Sequence, residues 1–194
     1  MGTTIPIRDL TELDMLKKYY IEKEYNPRNY ALISLGFNTA LRISDILSLK
    51  WGNIYNEKNN KFYSHLTVCE KKTGKTNRII LNPSVISAMT IYINSLSDEN
   101  IKGEKYIFAG RNENKHLCRS QAFRIIKHAC QNLGLSEHIS CHSLRKTFGY
   151  QAWASGTDAT ILMIIYNHSS FEITKRYLGI EQSDKDKVFL NINL

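Results

Sequence analysis

Arg42 stands in Leu41-Arg42-Ile43-Ser44-Asp45, and a basic turn, Lys72-Thr73-Gly74-Lys75, follows it in the chain. His142 and Arg145 are three residues apart in His142-Ser143-Leu144-Arg145. His168 lies in Asn167-His168-Ser169-Ser170, and nine residues later comes Tyr177, within Thr174-Lys175-Arg176-Tyr177-Leu178. Breaking a phosphodiester without a metal ion needs cations on the non-bridging oxygens, an in-line nucleophile, a base for it and an acid for the leaving alkoxide. Arginine suits the first task, because its planar fork matches two phosphate oxygens and stays charged at any working pH. Each residue alone has a plainer reading. Arg42 can pair with Asp45 on the surface, His142 and Arg145 can form a solvated helix face, and His168 can be a structural histidine. Tyr177 is one of 11 tyrosines, most of which must be packing residues, and Lys72 has Lys71 and Lys75 beside it. The joint set is what points to phosphate chemistry.

The elements that must position these residues are mostly helical. Asp9 or Thr11 can cap a first helix, with Leu10, Leu13, Leu16 and Tyr20 at spacings of three and four. Asn26-Pro27 is a cap followed by proline, so a second helix is expected from Pro27 to about Thr39. Ser44 is a candidate cap for a short third one. The period then changes to two: Trp51–Tyr55, Lys61–Glu70 and Thr76–Leu81 read as three strands of a small antiparallel meander. Helices are expected again over Ser84–Leu96, Ser120–Asn132, His142–Ser155, Asp158–Tyr166 and Ser170–Leu178. The expected class is α+β, mostly helical, with one three-stranded antiparallel sheet.

Composition narrows the partners. The 194 residues and 42% hydrophobic content fit one domain with an ordinary core. No run approaches the ~20 apolar residues of a membrane span, and the charged start is unlike a signal peptide, so a cytoplasmic location is expected. Lys and Arg number 26 against 18 Asp and Glu, a net charge of +8 that favours polyanions such as DNA. The four cysteines form no CxxC pair. His138 and His142 are four apart, a spacing that can clamp a metal on a helix, but no third ligand accompanies them and no metal site is expected.

With those motifs in order, the chain resembles the tyrosine recombinase, or phage integrase, family in its Xer-like branch. The resemblance rests on Thr39-Ala40-Leu41-Arg42-Ile43-Ser44-Asp45, the lysine turn, His142-x-x-Arg145, Asn167-His168-Ser169-Ser170 and Tyr177, from about Arg8 to Leu178. It implies that Arg42 and Arg145 bind the scissile phosphate, Lys72 protonates the departing 5′ oxygen, and His168 holds a non-bridging oxygen. His142 is then a base or hydrogen-bond partner, and Tyr177 attacks to form a 3′-phosphotyrosine. Asp45 matches the family's acidic supporting residue. Neither metal nor other cofactor is implied. Tyr166-Asn167 depart from the family's usual Leu-Gly before the histidine, and Lys75 competes with Lys72 for the acid's register.

The resemblance further implies double-stranded DNA as partner, a homotetramer on DNA with exchanged tails, and neither membrane nor small-molecule substrate. Residues 1–182 are expected to be the catalytic domain and 183–194 a tail, in a naturally short chain without an N-terminal DNA-clamping domain. Two rival functions share the fold: a type IB topoisomerase-like relaxing enzyme, and a catalytically silent DNA-binding regulator.

Overall fold

The computed structural model describes residues 4–70, 74–112 and 114–192. Lys72, the expected acid, lies outside the described residues. Helix α1 (Leu10–Glu22) starts where the Asp9 carboxylate accepts from Thr11 N and Glu12 N at 2.8 and 2.9 Å. Helix α2 (Pro27–Asn38) starts at Asn26, whose side chain accepts from Asn29 N, with proline at the first helical position. Caps of this kind each contribute about 1 kcal/mol.

Helix α2 is the hub. Ala31, Leu32, Ile33 and Leu35 are all fully buried, so it packs on several sides at once. One side joins the larger core with α4 (Pro83–Ile93), and another meets α1, α5 (Arg119–Asn132) and α6 (Cys141–Ala154). Truncating Leu32 to alanine is expected to cost about 2–5 kcal/mol, the usual range for an emptied core site. Gly36 lets α6 come close, since a Cβ there would lie 3.1 Å from Leu144 Cβ. That approach matters for the site: Arg42 follows α2 closely, and Arg145 sits one residue after Leu144.

The short helix α3 (Ile43–Leu47) begins at Arg42 rather than at Ser44, with Asp45 buried in its first turn. Just before it, Ala40 takes φ 54°, a left-handed conformation that L residues other than glycine adopt at some cost.

The β region departs from a single three-stranded meander. Strands β1 (Tyr55–Asn56) and β2 (Lys61–Phe62) form one antiparallel pair, and β3 (His65–Cys69) and β4 (Thr76–Ile80) form another. The chain changes partner at Tyr63 and Ser64: Tyr63 N donates to Ile54 O, while Ser64 O accepts from Leu81 N. Trp51–Asn53, expected to be extended, is a 3-10 turn because the Asn53 side chain accepts from Lys50 N at 2.7 Å.

After α6 come α7 (Ala159–Tyr166), capped by Asp158, and α8 (Phe171–Leu178), capped by Ser170 and ended by Gly179 at φ 66°. Residues 183–191, expected only as part of a tail, belong to α9 (Gln182–Asn191). Its base is tied to its own chain: buried Asp184 accepts from Tyr150 Oη at 2.9 Å and pairs with Arg8 at 3.3 Å. Val188, Phe189, Leu190 and Ile192 remain 54, 78, 81 and 59% exposed.

Candidate active site

Four parts of the fold bring the expected residues together. Arg42 comes from the α2–α3 junction, His142 and Arg145 from the start of α6, His168 from the α7–α8 connection, and Tyr177 from the last turn of α8. His142 and His168 each set their rings edge-on to Tyr177, with centroids 5.1 Å away in both cases. His138 lies on the turn ahead of α6, so it shares no helix with His142.

Tyr177 belongs to a small apolar cluster with Ala40, Leu162, Tyr166 and Leu178. Its hydroxyl is buried and makes no hydrogen bond of ordinary geometry among the described residues. Burial pushes the phenol up to about 12, opposed by the charges of Arg145 and Arg42 and by a polar contact with Arg145. The Arg145 guanidinium favours the phenolate by its charge without meeting the geometry of a hydrogen bond to the hydroxyl. A phenol in this state is protonated at neutral pH and needs both a base and fixed positive charge to attack.

Arg145 is 2% exposed. Its Nη1 donates to Ala40 O, its Nη2 reaches Tyr166 O at 3.4 Å, and its guanidinium lies over the Tyr166 ring. Burial first, and then the charges of Arg145 and Arg42, hold His168 below its ordinary value. His168 Nδ1 pairs with Thr174 Oγ1 at 3.0 Å, which fixes the ring and leaves Nε2 as its other polar atom. Lys146 is buried beside Arg145, its Nζ donating to Thr4 O at 2.6 Å and lying 5.7 Å from the Tyr177 centroid. Burial lowers its pKa.

Two residues that the motif reading missed hold this site. Tyr166 fills the space beneath Arg145, and its hydroxyl donates to Arg145 O at 2.8 Å. Glu70, fully buried, pairs with Arg42. A signal for Glu70 was available: Leu66, Val68 and Glu70 alternate along one strand face, so the glutamate points where the two apolar residues point. Asn167 explains the departure from Leu-Gly, because it caps α7 at φ 55°, and asparagine tolerates that left-handed conformation better than most residues.

The phage integrase family profile matches residues 9–183. The chain is 38% identical over 177 residues to the probable integrase/recombinase YoeC of Bacillus subtilis (strain 168), covering 91% of this chain and 90% of that protein. It is 24% identical over 193 residues to the tyrosine recombinase XerD of Rickettsia bellii (strain RML369-C), covering 94% of this chain but 63% of that protein. Among solved structures, the XerA recombinase superposes with a TM-score of 0.77 at 19% identity, over 100% of this chain and 68% of that one. The Tn1549 transposon integrase in complex with circular intermediate DNA gives 0.70 at 19% identity, over 98% and 67%. These two likenesses establish the fold.

Proposed function

The chain belongs to the phage integrase family, and we propose on that premise that it cuts and rejoins double-stranded DNA at specific sites through a 3′-phosphotyrosine. The observation that carries the reading is the buried Tyr177 hydroxyl, without a hydrogen-bond partner among the described residues and under the charge of both Arg145 and Arg42. Those residues are separated by more than a hundred positions, and a packing tyrosine has no need of two guanidinium groups.

Tyr177 Oη attacks the phosphorus as the bond to the 5′ oxygen breaks. The phenolic proton leaves toward His142, and Lys72 supplies a proton to the departing 5′ oxygen. Arg42 and Arg145 take up charge on the non-bridging oxygens, and His168 donates to one of them from Nε2. The new phosphodiester keeps the energy of the old one, so rejoining needs only attack by a 5′ hydroxyl. We place the protein on DNA as a homotetramer whose exposed α9 face is exchanged with a neighbour, consistent with its four exposed apolar side chains.

The test is covalent trapping on nicked suicide duplexes in EDTA. A DNA adduct on Tyr177 is the expected result, because the protein's own cations serve the phosphate. An absolute requirement for Mg²⁺, or no adduct at all, rejects the reading. Supercoil relaxation without strand exchange would favour the topoisomerase-like alternative.

A further inference from the structure

We propose that Glu70 is a positioning residue of this site, holding Arg42 in its phosphate-facing pose. The inference rests on the strand-cleavage reading above and extends it to a residue outside the motif set.

Glu70 is fully buried and directly follows the last residue of β3. Its backbone is locked into the hairpin, with its N donating to Lys75 O at 2.9 Å and its O accepting from Gly74 N at 2.8 Å. Its carboxylate then reaches three separate parts of the chain. Oε2 pairs with Arg42 Nη1; Oε1 accepts from Asn77 Nδ2 on β4 and from Asn167 Nδ2, at 3.4 Å, beside His168. Asn167 can take part because it stands where the family pattern has glycine, in the left-handed conformation with an amide to spare.

Burying a carboxylate carries a desolvation cost that a single ion pair does not reliably recover. A site selected for stability alone has cheaper solutions, such as an apolar residue continuing the Leu66 and Val68 face. What the carboxylate does that an apolar group cannot is fix the direction of a guanidinium. Arg42 is partly open, its side chain 22% exposed, so without Glu70 its fork is free to turn toward solvent. The same carboxylate is itself held by Asn77 on β4 and by Asn167, so the group that aims Arg42 is fixed from two other sides.

Single-turnover cleavage tests this, on a nicked duplex carrying the sequence recovered from DNA trapped on the wild-type protein. Glu70→Gln is expected to slow cleavage about tenfold or more, as for a lost transition-state contact, with DNA half-saturation and thermal unfolding little changed. In an Arg42→Lys background the same substitution should add about twofold or less, since both act through one guanidinium. Replacing the bridging 5′ oxygen with sulfur should not restore the rate, because the defect is not in the acid. Glu70→Asp keeps the charge but shortens the reach, so it should be slow as well, and it serves if the Gln variant fails to fold. Wild-type rates in Glu70→Asp, or full additivity with Arg42→Lys, overturn the role. An inert wild-type protein instead overturns the cleavage reading itself.

Discussion

The Arg145 guanidinium lies over the Tyr166 ring at 4.8 Å, while the Tyr166 hydroxyl donates back to Arg145 O at 2.8 Å. The aromatic face, two carbonyl acceptors and close packing leave Arg145 little freedom, so its orientation is set by the fold itself. Arg145→Lys keeps one charge but loses the planar fork and the flat stacking. Cleavage is expected to fall by roughly 10²-fold or more in Arg145→Lys, and likewise in Arg42→Lys. Single-turnover rates near wild type would reject the clamp role.

Tyr177→Phe removes the hydroxyl and keeps the ring against His142, Tyr166 and His168. Covalent attachment to DNA should vanish while binding in a gel-shift assay stays nearly intact. An adduct that persists in the Phe variant moves the nucleophile to another tyrosine.

The acid can be assigned by leaving-group chemistry. An alkoxide must be protonated as it departs, whereas a thiolate needs little help. Lys72→Ala should be severely slow on ordinary DNA and close to wild type on a 5′-sulfur-bridged duplex. Lys75→Ala should lose much less on ordinary DNA. Sulfur rescue of Lys75→Ala alone would shift the register by three residues, and rescue of neither would make His142 the next candidate.

Truncation before Phe189 removes the most exposed part of α9 but leaves Asp184 with Tyr150 and Arg8. The shortened protein should keep its thermal midpoint and bind single DNA sites, yet lose cooperative assembly on paired sites. Unfolding of the truncated chain would mean instead that the α9 end supports its own core.

Burial raises the Cys130 and Cys141 thiols from 9.0 to about 11, and the Tyr92 and Tyr177 phenols from 10.0 to about 12. The folded protein therefore holds these protons more tightly than the unfolded chain does. Their contribution to stability is complete below pH 9 and is lost as pH rises through about 12. Urea midpoints measured across that range should fall steadily; a flat profile would show that these groups ionise as readily in the folded state.

Local sequence determined much of this protein. Asp9, Asn26-Pro27, Asp158 and Ser170 start helices because capping is settled by a few neighbouring residues. The order and spacing of Arg42, His142, Arg145, His168 and Tyr177 likewise carried the family. The division of the β region into two pairs was decided at Ser64, where a long extended run changes partners, and no local pattern marks that point. Only tertiary packing brought α2 against α6 over Gly36, and so set Arg42 and Arg145 around one hydroxyl. The raised pKa of Tyr177, the seat of Arg145 on Tyr166 and the reach of Glu70 to Arg42 and Asn167 also arise there. Each depends on burial and on distances between residues far apart in the chain, which sequence periodicity does not encode.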